Sequence, residues 1–171
     1  MKDTSPTPRI RPIGPSDGEL LRAFYAGLSP DSREARFHGA APGIGETTAR
    51  FFCGPDHEHR EGLVACVPEP GGGCRIVGHL CLEPLADGSV EMAIAVADAW
   101  QQHGIGSRLL RDAFAWADSH GVHRLTASVR VGNAAIMALI RAMGRPFELR
   151  PSDVGVVDVI ILLDGDLPHA A

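Results

Sequence analysis

The chain has 171 residues, 44% of them hydrophobic and 22% charged, the ordinary mixture of a globular protein. That is long enough for one domain with a real core and short for two. With 16 Lys and Arg against 21 Asp and Glu the formal net charge is −5. No basic stripe dominates, which argues against a nucleic-acid-binding module and sits well with a cationic substrate. No apolar run is long enough to span a bilayer. The opening MKDTSPTPRIRPIG has no apolar stretch of the secretory type, so a cytoplasmic protein with no membrane partner is expected. Cys53, Cys66, Cys74 and Cys81 show no C-x-x-C spacing and read as reduced thiols.

Residues 1–8 are polar and Pro-rich and read as a flexible tail. A short strand follows over Arg9–Ile13. Ser16-Asp17-Gly18-Glu19 fits a capping box, with Ser16 as N-cap and Glu19 reaching back. Leu20, Leu21, Phe24 and Leu28 then mark a helical face. Ser29-Pro30 starts a second helix that runs to about Phe37. A Gly-rich loop over His38–Gly45 leads to a third short helix over Thr47–Cys53.

The middle of the chain reads as strands: Gly62–Val67, Cys74–Leu85 after a PEPGGG turn, and Val90–Val96 after the hairpin signal Asp87-Gly88. From Gly104 the period changes. Leu109, Leu110, Ala113, Phe114 and Ala117 recur at helical spacing and Gly121 ends the helix. Leu125, Ala127, Val129 and Val131 alternate with polar residues, a half-buried strand. Asn133 begins a helix ended by Gly144. Phe147–Arg150 and Gly155–Leu163 read as two closing strands, the second apolar enough for core or for pairing across a homodimer. The order of elements predicts an α/β (α+β) single domain over 9–165, with a mixed sheet of six to seven strands flanked by helices and a tail at 166–171.

The chemistry centres on Gln101-Gln102-His103-Gly104-Ile105-Gly106-Ser107. It follows a strand and opens a helix. There, backbone N–H groups point outward, the dipole favours anions and glycine allows close approach, the arrangement of a phosphate cradle. An ordinary strand–helix turn has the same local pattern. No Lys-Ser or Lys-Thr follows, so this is not a P-loop, and the longer dinucleotide fingerprint is absent. Cys53, His57 and His59 lie close in sequence, but no fourth ligand has suitable spacing, so no metal is expected.

Gln101-x-x-Gly104-x-Gly106 resembles the Q/R-x-x-G-x-G/A signature of GNAT N-acetyltransferases. The flanking VEMAIAVADAWQQHGIGSRLL and VRVGNAAIMALIRAMG are similar to that family's fourth strand with its pyrophosphate helix, and to its fifth strand with the helix after it. IRPIGPSDGELLRAFYAGLSPDSREARFHG looks like the start of the acetyltransferase domain of bacterial protein-lysine acetyltransferases, which act on acyl-CoA synthetases. The resemblance implies an acetyl-CoA-dependent enzyme that acetylates an amine, on a small molecule or a protein lysine. It also implies that Gln101 to Ser107 and Asn133 contact the cofactor and that the pantetheine arm pairs with Ile94, Ala95 and Val96.

A lysine-type amine has a pKa near ~10.4 and is protonated at neutral pH, so a base is needed. The resemblance points to Glu91, with Glu83 on the neighbouring strand as the alternative. A backbone N–H near Ile94–Val96 would meet the oxyanion at the thioester carbonyl. Many relatives protonate the leaving thiolate with a tyrosine where this chain has Ile140. The only tyrosine is Tyr25. That departure leaves open a second reading, a GNAT-like module that binds acyl-CoA as a sensor without turnover. Arg33, Arg36 and Phe37 read as a helix face, in a region that borders the acceptor side in the resembling group.

Overall fold

The structure is a computed structural model that describes residues 7–39 and 41–163. The tails expected at 1–8 and 166–171 lie outside these residues, save Thr7 and Pro8. Seven strands form one sheet: β1 (Arg9–Pro12), β2 (Glu61–Pro68), β3 (Cys74–Pro84), β4 (Val90–Val96), β5 (Arg124–Arg130), β6 (Phe147–Pro151) and β7 (Val156–Leu162). Five helices pack around it: α1 (Gly18–Ala26), α2 (Pro30–Phe37), α3 (Glu46–Phe52), α4 (Ile105–Ser119) and α5 (Ala134–Ala142). The spatial order is β1-β2-β3-β4-β5-β7-β6. Only β4 and β5 run parallel, and α4 makes the connection between them, as parallel neighbours require a crossover. This is the expected α/β domain with a seven-stranded mixed sheet.

The side-chain alternation of the strands divides the core in two. Leu63, Ala65, Leu80, Leu82, Val90 and Met92 meet Leu109, Leu110, Ala113 and Phe114 of α4. On the opposite face Val64, Cys66, Ile76 and Ala95 meet Leu21, Phe24 and Tyr25 of α1. The sheet is therefore buried between helical layers, and each helix needs only one apolar stripe. Gly78 lets α4 sit close, because a Cβ there would meet Ile105 Cγ2 and Leu109 Cδ1, each at 3.1 Å.

One local reading changes and one left open is decided. The first helix is entered through a 3-10 turn, Pro15–Asp17. Asp17, rather than Glu19, reaches back: its Oδ2 accepts from Gly14 N–H at 2.8 Å. Arg11 on β1 grips both Asp17 oxygens at 2.7 Å, and this ion pair holds the Asp17 carboxyl below its ordinary pKa. Glu19 instead pairs with Arg22 on the helix surface. The apolar last strand, β7, is flanked by β5 and β6, so both of its edges are used within the chain and its hydrophobicity belongs to the core.

Candidate active site

The parallel pairing of β4 with β5 lasts two residues, Val90 with Leu125 and Glu91 with Thr126. Beyond these the strands part and a cleft of about 950 Å³ opens between them, at the upper end of small-molecule sites. Its walls are β4 from Glu91 to Val96, β5 from Ala127, one face of α5 as far as Ala142, the inner side of α2, and the loop that opens α4.

Strand geometry decides what β4 offers. Ala97 N–H donates to Val77 O across β3 at 2.9 Å. In the antiparallel register that continues through His79–Ala95 and Cys81–Ala93, alternate peptide groups face the same way. Ala95 thus spends its N–H on the ladder, while Ile94 and Val96 turn theirs toward the parted side. The Val96 carbonyl accepts from Gln101 Nε2 at 3.1 Å. Side chains alternate in the other sense: Met92 enters the α4 layer, whereas Glu91 shares the face of Ala95, which packs with α1. Glu91 is exposed and lines the cleft.

The rival carboxylate differs. Glu83 lies directly opposite Glu91 on β3, but Arg60 holds both of its oxygens, at 2.5 and 2.8 Å. The Arg60 guanidinium is further seated 4.0 Å above the Phe51 ring.

The glycine loop has the form of an anion cradle. Gly104 caps α4 in the left-handed region (φ 75°) with no side chain closing the helix N-terminus. The first N–H groups of this 15-residue helix are thus left for another acceptor, and no acidic residue occupies the first turn. At Gly106 a Cβ would stand 3.0 Å from Leu139 Cδ2, so glycine is what lets α5 approach. Gln102, Gly104, Gly106 and Ser107 border the cleft, whereas the Ile105 side chain is core. His103 is exposed, its Nδ1 at 2.6 Å from Gln101 O, and Trp100 lies beside it with ring centres 6.3 Å apart. The Gln101 amide is engaged within the protein, donating to Val96 O and to Ser32 Oγ. Asn133 caps α5, its Oδ1 accepting from Ile136 N–H at 3.3 Å, and lines the cleft. Ile140 is buried in the α4–α5 layer.

Sequence reading missed the clamp behind this loop. Asp98, just past β4, accepts from Ser29 N–H, Ser29 Oγ and Ser32 Oγ at 2.9, 2.7 and 2.7 Å. Burial pushes its carboxyl pKa up, the hydrogen bonds from Ser29 and Ser32 outweigh this, and the net shift is downward. The partners are 66 and 69 residues away, so no local signal exists. Also missed is a buried polar group under α2. Tyr25 Oη lies 2.8 Å from His79 Nδ1, and Arg36 Nη2 donates to Cys81 Sγ at 3.4 Å. Burial lowers the His79 pKa to about 3 and raises that of Tyr25 to about 12, so both are neutral. Cys53, His57 and His59 do not converge: Cys53 is buried, His57 Nδ1 faces Glu61 and His59 Nδ1 faces Asp56. Among the described residues no group of three or more His, Cys, Asp or Glu is placed to hold a metal, and no helix is long and apolar enough to cross a membrane.

Comparison with known proteins agrees with this geometry. Residues 23–144 match the family model described as the acetyltransferase (GNAT) family. A curated relative, an acetyltransferase of Pseudomonas aeruginosa, is 29% identical over 148 residues, 84% of this chain and 77% of the relative. The GNAT domain of S. lividans PAT superposes with a TM-score of 0.80 at 28% identity, covering 91% of this chain and 90% of that one. The acetyltransferase yncA of Salmonella typhimurium, solved with acetyl-CoA, shares the fold at a TM-score of 0.68 and 20% identity, covering 96% of each chain. The chain belongs to the GNAT acetyltransferase family and is an acetyl-CoA-dependent N-acetyltransferase.

Proposed function

We propose that the enzyme acetylates a primary amine by direct attack, with Glu91 as general base. The observation that carries this reading is the position of Glu91 in the cleft at the point where β4 and β5 part, with its rival Glu83 occupied by Arg60. The residues fit the cofactor. Gly104, Gly106 and the open first turn of α4 suit its pyrophosphate, with Gln102 and Ser107 beside them, and the free peptide edge at Ile94 and Val96 suits an extended pantetheine arm. When bound, acetyl-CoA supplies an activated acyl carbon and a thiolate leaving group.

The remaining work falls to this chain's residues. Glu91 takes a proton from the protonated amine, directly or through one water, which frees the nitrogen lone pair. The new N–C bond forms as the C–S bond breaks. An N–H of Ile94 or Val96 would donate to the thioester carbonyl oxygen as charge grows there. Gln101 acts through Val96 and Ser32, holding the loop against β4 and α2. Ile140 provides no proton. A thiol pKa of about 8.5 makes the thiolate a tolerable leaving group, so proton return from water or the acceptor suffices.

The test mixes purified protein with acetyl-CoA and follows thiol release against polyamines, aminoglycosides, free amino acids, lysine peptides and a purified acyl-CoA synthetase. Release with one acceptor class, lost in Glu91→Gln, is the expected result. Cofactor binding without release from any amine would favour a non-catalytic acyl-CoA sensor.

A further inference from the structure

Among the described residues no carboxylate forms a salt bridge with Arg36. Arg36 projects from α2 into the region between the sheet and α3, with its guanidinium carbon 4.9 Å from the Phe37 ring centre and 5.5 Å from that of Phe52. Its Nη2 donates weakly to the Cys81 thiol, and the Tyr25 hydroxyl is placed to accept from the same guanidinium. Its Nε is buried with no acceptor. The other cations near the cleft are served: Arg130 pairs with Glu34 at 2.8 Å and Arg60 with Glu83. A largely buried guanidinium whose direct contacts are a thiol, a phenol and two ring faces is costly unless an anion completes it. Arg36 also lines the cleft, on the same side as Glu91, and the two are near enough for their charges to act on each other.

The cleft therefore presents a negative and a positive group side by side, facing the same space. A simple amine would satisfy Glu91 and leave Arg36 unpaired. A zwitterion with an amine at one end and a carboxylate a few bonds away satisfies both. We infer that the acceptor is a small amino acid whose amine is directed to Glu91 and whose carboxylate is held by Arg36. This rests on the acetyl-transfer reading above and narrows it. The rigid two-pronged guanidinium suits a carboxylate, and Phe37 and Phe52 fix its plane. Arg36 is thus a specificity-determining residue. The side-chain amine of a lysine within a protein carries no such carboxylate nearby.

The experiment compares α-, β- and γ-amino acids with their carboxamides, in which the charge is removed and the shape kept. With acetyl-CoA saturating, kcat/KM for the best acid should exceed that of its carboxamide by roughly 10- to 100-fold, the range for hydrogen bonds to a charged group. In Arg36→Gln that ratio should fall toward one. Arg36→Lys keeps the charge and stem, so it should retain part of the preference. Equal kcat/KM for acids and carboxamides in the wild-type enzyme would overturn the proposal, as would a ratio that survives in Arg36→Gln. Calorimetric binding of the same pairs to Glu91→Gln with CoA present reads the carboxylate preference without turnover. Acid preference in binding without thiol release from the wild type would sink the transfer reading alone. Release from other amines with no acid preference would sink the Arg36 assignment alone.

Discussion

Gln101 Nε2 lies 3.2 Å from Ser32 Oγ, so the residue that heads the glycine loop is tied to the helix that carries Arg36. Asp98 makes the same connection through Ser29 and Ser32. The glycine loop and α2, both of which line the cleft, thus share one polar clamp, and disturbing it should reach both.

Asp98→Ala is expected to lower stability by about 1–2 kcal/mol at neutral pH, a modest figure because the carboxylate is partly exposed. It should also raise the KM for the acceptor as α2 loosens. The folded-state pKa of Asp98 is depressed, so its contribution is present above the unfolded value of ~3.9 and is lost as pH falls through the folded one. Urea denaturation across pH should therefore show the gap between wild type and variant closing in acid. A gap that persists unchanged below pH ~3 would mean that the carboxylate charge is not what binds α2.

Glu91 and Glu83 face each other across β3 and β4 but should respond differently to loss of charge. Glu91→Gln is expected to cut kcat by about 10²- to 10⁴-fold, the usual weight of a general base, with acetyl-CoA affinity nearly intact. Glu83→Gln should leave kcat within a few fold and lower the melting temperature, because Arg60 loses a two-oxygen partner. Reversal of the two phenotypes in steady-state kinetics would move the base to β3.

Gly104 has φ 75° and an open space where a Cβ would go. Gly104→Glu therefore meets backbone strain of about 1–2 kcal/mol rather than a clash, and places a negative charge at the helix N-terminus. Calorimetry should show CoA binding weakened at least ~10-fold, corresponding to about 1.4 kcal/mol. Thermal melting separates this from the strain, which acts on folding. Unchanged affinity would remove the loop from the cofactor site.

What the sequence disclosed was local. The change of period at Gly104 marks α4 because helical faces and glycine turns are written within a few residues, and Asn133 is recognisable as an N-cap for the same reason. The capping box at Ser16 was misread because Pro15 opens a 3-10 turn and Arg11, on another element, recruits Asp17. The apolar run of β7 could not tell an inner strand from a dimer edge, since hydropathy reports burial and not what does the burying. Arg36 looked like one more polar residue on a helix face. Its lack of a paired carboxylate and its place near Glu91 appear only when Cys81, Phe52 and Glu91 are brought around it by the fold.

The pairing of Tyr25 with His79, 54 residues apart, gives the fold its own acid sensitivity. Burial, followed by the nearby charge of Arg36, depresses the His79 pKa to about 3, against about 6.5 in the unfolded chain. Between these values the unfolded state binds a proton that the native state does not, so stability rises with pH across this window and falls on acidification below ~6.5. At about 1.4 kcal/mol per unit, lowering the pH from 7.5 to 5 should cost roughly 2 kcal/mol through this one residue. His79→Phe should flatten that part of the profile, even if Tyr25 then lacks a partner and the variant is less stable throughout. Denaturant titrations at the two pH values give the comparison directly. An equal loss in wild type and His79→Phe would mean that His79 takes up its proton without unfolding, and that the histidine is better solvated than its packing against Phe52 and Tyr25 implies.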